Sequence, residues 1–309
     1  MPRTLARPAR GSSLVESLVG MIIALMVLGI ALQLMLIARA RYHRLADEAL
    51  IEDRAMQALE LIGRAVHQAG WITDTPASSS ARRWPDAGAS PSLEGKDDCG
   101  TPPHVLPHFE CSGGNQRRSD ALLVRFAGRS TGANSSSSDG ATLDCGGYGV
   151  PERIDGEDPR QGYVLLFVGP NTTDRELELR CKSLDRDNPR EEGDALGLVR
   201  GVETLQILYT LDQSPATPAT AVPVSARAIQ DSDWHRVRRV HVAIVVRGDR
   251  YAIRPPTSDN IPLFPALEPT PDAQTEDLEF RPQDPRRHRA RFTATFAVRN
   301  PLRCEADAC

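Results

Sequence analysis

The hydrophobic pattern divides the chain into a greasy N-terminal stretch and a mixed remainder. Residues Ser17 to Ala38 run SLVGMIIALMVLGIALQLMLIA, 22 positions without a charge. A helix needs about 20 such residues to cross a bilayer, whereas a buried core helix is normally shorter and keeps a polar face. The run is therefore read as a membrane span. Beyond it, apolar residues recur at Leu45, Ala49, Ala55, Met56, Leu59, Ile62 and Val66, mostly at three- and four-residue steps, with charges between them. That spacing predicts an amphipathic helix packed on one side. No proline occurs between Pro8 and Pro76, so span and amphipathic stretch read as one helix. Gly70, followed by Trp71, supplies a stop. From Ser12 to Gly70 such a helix would be roughly 90 Å long at 1.5 Å per residue.

The pattern then changes period. Residues 72–114 are rich in proline, serine and glycine and read as loop. Short strand-like runs follow at Ala121–Ala127, Tyr163–Val168, Glu176–Cys181, Leu205–Leu211, Val237–Val246 and Arg291–Val298. In the last, Phe292, Ala294 and Phe296 alternate with Arg291, Thr293 and Thr295, as in a half-buried strand of an antiparallel sheet. Ser130–Gly140 reads as a flexible loop, and 252–290 as a second long excursion with eight prolines. Helix first and strands afterwards predict an α+β fold.

Composition changes this picture little. The 309 residues carry a formal net charge of −4, 25% charged and 40% hydrophobic residues, an ordinary globular balance. It excludes a fully disordered chain and a polytopic membrane protein, and it argues against a nucleic-acid binder, which is usually basic. Of 37 basic residues only Lys96 and Lys182 are lysine, a bias attributed first to genome composition.

Charge does matter at the N-terminus. Arg3, Arg7 and Arg10 precede the span without an acid, which places that end in the cytoplasm and the rest across the membrane. Ala38-Arg39-Ala40 fits a signal-peptidase site, but the apolar run is longer than a signal peptide uses. A plain single-pass anchor is a second reading. A third comes from Glu16, because a carboxylate at the edge of a membrane span is costly unless paired.

All six cysteines, Cys99, Cys111, Cys145, Cys181, Cys304 and Cys309, lie beyond the span. An even count on the oxidising side implies disulfides. Several connectivities are open; the sequential set Cys99–Cys111, Cys145–Cys181 and Cys304–Cys309 is preferred because short loops close at less entropic cost. Cys99, His104, His108 and Cys111 could instead form a tetrahedral zinc site, but the spacing fits no named zinc motif and three prolines stiffen the loop. Asp185, Asp187 and Asn188 place oxygens at near-alternate positions as calcium likes, but Pro189 and a missing glycine break the loop pattern. No metal or cofactor is expected. No G-x-S-x-G, H-E-x-x-H or Walker A loop occurs, so nothing asks for an enzyme.

Gly11-Ser12-Ser13-Leu14-Val15-Glu16 closely resembles the class III leader of type IV prepilins, a short basic peptide ending in glycine with glutamate five residues later. The resemblance implies cleavage by prepilin peptidase between Gly11 and Ser12, methylation of the new amine, and Glu16 as that amine's counter-ion in assembly. Ser12 departs from the usual Phe or Met at the first mature position, which bears on methylation more than on cleavage. Later fragments resemble the PilW-type minor pilins: the helix end AVHQAGW, Asp120–Phe126 (DALLVRF), Asp144-Cys145 with Leu179-Arg180-Cys181, Val199–Tyr209 (VRGVETLQILY), Arg238–Arg247 and Val298–Leu302. The D-C and L-x-C fragments support Cys145–Cys181 as a bridge.

This resemblance implies a pilin-like α+β fold, a long N-terminal transmembrane and amphipathic helix packed on an antiparallel β-sheet head. Residues 1–11 would be the cleaved leader, 12–38 the transmembrane half, 39–70 the amphipathic half and 71–309 a disulfide-containing periplasmic head. It implies a single-pass inner-membrane minor pilin that primes type IV pilus assembly, in a tip or initiation complex, and supports adhesion and twitching motility. After assembly it could reach the pilus or cell surface. Partners would be the other minor pilins, the major pilin and prepilin peptidase, with no nucleic acid bound directly. Two alternatives remain: a J-type minor pseudopilin of a type II secretion system, and a membrane-anchored periplasmic enzyme or binding protein.

Overall fold

The computed structural model describes residues 14–72, 91–99, 103–105, 109–111, 119–132, 135, 137–152, 162–185, 191–212, 222–251, 260–267 and 272–300. The chain forms two compact units, Met1–Ala49 and Leu50–Cys309, and each is described by itself. A single helix, α1 (Leu14–Gln68, 55 residues), begins in the first and ends in the second.

In the second unit α1 buries a narrow stripe: Ile51, Ala55, Ala58, Ile62, Ala65, Val66 and Ala69. Apart from the adjacent pair Ala65 and Val66 the steps are of three or four residues, which keeps the stripe on one side of the helix. Most of these side chains are alanines, so the helix lies close to what it covers. Met56 and Leu45, counted as apolar positions of this helix by sequence, are exposed at 67% and 64%. One residue past Ala55 is about 100° further round the axis, which takes Met56 off the stripe.

Among the described residues the strands form three antiparallel sheets. The first, in order β1-β2-β3-β4-β5, uses β1 (Leu93–Lys96), β2 (Ala121–Phe126), β3 (Gly162–Pro170), β4 (Leu177–Lys182) and β5 (Leu196–Arg200). The second, ordered β10-β7-β6, uses β6 (Val202–Leu211), β7 (Val237–Tyr251) and β10 (Arg287–Ala297). Two short strands, β8 (Ile261–Pro262) and β9 (Glu279–Phe280), pair beside the one-turn helix α2 (Thr275–Leu278).

Period-two alternation decides which side chains meet α1. Leu122, Val124 and Phe126 of β2 join the α1 stripe, while Ala121 and Leu123 turn to a second cluster with Val105, Phe109, Tyr163, Leu165 and Phe167. On β7, Val240, Val242, Ile244 and Val246 face the α1 core, and Ala243 and Val245 face Leu263, Phe264 and Phe280. The excursion expected at 252–290 is thus not loop throughout. It holds β8, α2 and β9, which cover the outer face of β6 and β7. Likewise β1 and the bridge His104↔Glu110 fall inside 72–114, expected to be loop. β5 was also missed, because Leu196-Gly197-Leu198 sits largely exposed at a sheet edge and shows little alternation.

The helix end is tied down by backbone chemistry. Gly70 has φ +66°, the left-handed conformation that glycine adopts at little cost after a helix. Its N–H donates to the Arg125 carbonyl at 3.0 Å, and the Ala127 N–H donates to the Trp71 carbonyl at 2.9 Å. Asn300 Nδ2 donates to the carbonyls of His67 and Ala69, both at 3.2 Å, which satisfies acceptors the helix leaves open.

Candidate functional site

The chemistry of the first unit is that of an unpaired apolar surface. From Leu14 to Ile37 the large side chains of α1 are all exposed, Leu14 at 81% and Ile37 at 51%. Among the described residues this is the one helix long and apolar enough to cross a membrane, and none of its most apolar window is buried. Glu16 stands in its first turn, exposed. A carboxylate there faces the positive end of the helix dipole. Gly20 and Gly29 have nothing within 4 Å of where a Cβ would sit, so their surface is open to close approach by another helix. Gly11 and Ser12 lie outside the described residues.

In the head, Cys99 is joined to Cys111 and Cys145 to Cys181. The first bridge takes both thiols of the zinc alternative. His104 Nδ1 lies 3.5 Å from Glu192 Oε2 instead, and His108 is outside the described residues. Asp187 and Asn188 of the calcium alternative, and Cys304 and Cys309, are outside them too. Cys145–Cys181 fastens the hairpin around Tyr148 to β4, where the 2.8 Å and 2.9 Å bonds from Gly146 N and Tyr148 N to Asp144 Oδ1 close the turn.

Several charged residues of the head are buried, and sequence reading gave them no role. Asp120 Oδ2 accepts from Ile207 N at 2.7 Å and its Oδ1 from Asp98 N at 3.2 Å. Its own N–H donates to the Leu205 carbonyl at 2.8 Å, and Ser119 Oγ accepts from Leu205 N at 3.0 Å. Ser119 and Asp120 thereby satisfy the outer backbone groups of β6 and stitch the two large sheets together. Burial pushes the Asp120 carboxyl well above the usual range, and Asp97 beside it adds to the shift. Burial and then Asp120 push the Tyr209 phenol up as well. Tyr209 is fully buried, edge-on to Trp234 at 5.1 Å between ring centres.

Arg227 is the cation of this region. It pairs with Asp97 at 3.0 Å, Asp98 at 3.2 Å and Asp277 at 3.2 Å. It thus joins the turn after β1 to α2. Against the cost of its own burial, Asp97, Asp277 and Asp98 hold its guanidinium charged. Asp97 and Asp277 are nonetheless raised, chiefly by burial.

A second ionic group lies between β6, β7 and β10. Glu203 accepts from Arg289 Nε and, at 3.2 Å, from Arg289 Nη2. Arg247 Nε lies 3.8 Å from the same carboxylate, and Arg247 also pairs with Glu176. A signal was there to read: Asp120 just before β2, Glu203 at the start of β6 and Arg247 after the apolar run of β7 are charges that abut apolar strand residues, and a buried charge needs a partner. What sequence could not give was the partner, since Arg289 lies 86 residues from Glu203.

No curated protein matches the chain. Among solved structures it is similar to a type IV-like pilin from Thermus thermophilus, with 11% identity over 81% of this chain and 98% of that one, at a TM-score of 0.37. Residues 166–300, from within β3 to the asparagine that caps α1, match the model of the PilW family, described as type IV pilus-assembly protein W. The match covers β4 to β10 and less than half of the chain, so it marks that part of the head as similar to the PilW family.

Proposed function

We propose that this chain is a minor pilin that helps to prime and assemble type IV pili, acting in an initiation or tip complex. The observation that carries the reading is the junction of two features. A helix whose large apolar side chains from Leu14 to Ile37 are all exposed precedes a folded head whose sheet residues match PilW. An exposed stripe of that kind is stable only in lipid or against other helices.

The order of events follows from the chemistry. The chain inserts in the inner membrane with its basic end in the cytoplasm. Prepilin peptidase cuts after Gly11 and leaves the Ser12 amine. That cation and the Glu16 carboxylate each cost less in a membrane when paired, within one chain or between neighbours. Helix packing then holds subunits together, and the heads choose among the other minor pilins and the major pilin. Adhesion and twitching motility follow from the finished filament.

The test is the mature N-terminus, read by intact-mass and terminal-peptide spectrometry with and without prepilin peptidase. A start at Ser12 that disappears without the peptidase supports the reading. A start at Met1, or after Ala40, indifferent to the peptidase, overturns it. Glu16→Ala should leave cleavage largely intact and reduce pilus number; normal piliation in that variant would refute the charge pairing.

A further inference from the structure

The two outer edges of the β10-β7-β6 sheet are treated differently. On the β6 side, Ser119 and Asp120 take the backbone groups of Leu205 and Ile207, and Val224 exchanges bonds with Tyr209. On the β10 side nothing among the described residues pairs with the strand.

The register shows which groups β10 presents there. The Arg247 N–H donates to the Gly201 carbonyl, and the Val298 N–H donates to the Arg238 carbonyl. Even-numbered residues of β7 therefore turn their backbone groups to β10, and odd ones turn away. Ala290 pairs with Val246, Phe292 with Ile244, Ala294 with Val242 and Phe296 with Val240. The N–H and C=O groups of Arg291, Thr293, Thr295 and Ala297 consequently point outward. Arginines and His288 occupy the first half of β10, the usual protection of an edge. From Phe292 to Ala297 the strand has no charge and no proline.

The same stretch reads identically in both directions: Phe292-Thr293-Ala294-Thr295-Phe296. Antiparallel pairing of this edge with itself about Ala294 sets Thr293 opposite Thr295, Phe292 opposite Phe296, and Ala294 opposite Ala294. Threonine and aromatic cross-strand pairs are favourable, and no like charges meet within the strand pairs from Arg291 to Ala297. Thr295 is already held in place, its hydroxyl 2.9 Å from His241 Nδ1, which in turn has its Nε2 2.7 Å from Thr210 Oγ1.

We propose that β10 is an interaction edge whose occupant is β10 of a second copy of this chain, the two three-stranded sheets joining into one of six. The two-fold axis lies along the sheet normal. Rotation about it reverses every direction that lies along the sheet, including that of the α1 stripe packed from Ile51 to Ala69. The two copies therefore meet with the packed parts of their helices running in opposite directions. This rests on the edge of the head and not on the pilus reading.

The test uses the full chain in detergent micelles. In the proposed pairing Ala294 meets its symmetry mate as a non-hydrogen-bonded pair, about 4.5 Å between Cα atoms, within disulfide reach. Ala294→Cys should give an oxidised homodimer on a non-reducing gel, at least fivefold above Asp139→Cys, an exposed collision control. Adding Thr293→Pro removes an outward N–H without touching the β7 ladder and should abolish the dimer. Thr293→Lys, an edge lysine, should do the same should the proline variant fail to melt cooperatively. Ala294→Cys dimers no more abundant than the collision control would overturn the proposal. So would dimers that survive both Thr293 variants.

Discussion

Replacing Glu203 by leucine should destabilise the head by about 3 kcal/mol. Glu203, Arg247 and Arg289 have side chains no more than 8% exposed, so removing the anion leaves guanidinium charge without it in a poorly solvated place. Breaking a buried pair on one side costs roughly 3–5 kcal/mol. The lower end applies because part of the cation's bonding survives. Arg289 Nη1 still donates to the carbonyls of Asp284 at 2.5 Å and Arg287 at 2.9 Å, and Arg247 still has Glu176. What is lost is the acceptor for Arg289 Nε and Nη2. A head of this size moves by roughly 2–4 °C per kcal/mol, so the melt should fall by about 6–12 °C. Near-UV circular dichroism of the full chain in detergent reports it, because the helix dominates only the far-UV signal. The double variant Glu203→Leu/Arg289→Met removes both charges and should recover at least half of the loss. A fall below 3 °C in the single variant, or strictly additive losses in the double, would refute the claim that these charges hold each other.

Other consequences are as specific. Asp97, Asp120 and Asp277 all hold their protons more tightly folded than unfolded, so the folded head binds more protons just above the ordinary carboxylate range. Their contribution is therefore full at acid pH and is lost as pH rises from about 4 through their raised values. The pH slope of the melting temperature should flatten in Asp120→Asn, and an unchanged slope would remove Asp120 from the account. Ile62→Ala, on the fully buried stripe, should cost about 2–5 kcal/mol, whereas Met56→Ala should stay within about 0.5 kcal/mol in the same melts. The bridge Cys145–Cys181 spans 36 residues and Cys99–Cys111 spans 12, so loss of the first should cost about 4 kcal/mol and of the second about 3 kcal/mol by loop entropy. Chemical denaturation of the paired serine variants measures both, and the reverse order would show that strain or residual structure outweighs loop length.

What the sequence made legible was periodic and local. Twenty-two uncharged residues, a proline-free stretch and Gly70 located a helix whose described part runs from Leu14 to Gln68. The alternation of Phe292, Ala294 and Phe296 placed a half-buried strand, because burial on one face writes itself into every second residue. Short edge elements wrote no such pattern. β1 is four residues long and β8 and β9 are two each, too brief for any period to show. The apolar stripe of α1 was only half read, since alanine is common on both faces of a helix and only the sheet decides which alanines are covered. The ionic groups were hidden for a different reason: Asp120 reaches Ile207 and Glu203 reaches Arg289 across more than eighty residues of chain. Yet the charges themselves were conspicuous beside apolar runs, and so was the uncharged, mirror-symmetric end of β10. A charge where a strand should be greasy asks which partner satisfies it. An edge where a strand should be charged asks what other strand it meets, and the structure answers the first question within one chain while it leaves the second to a partner.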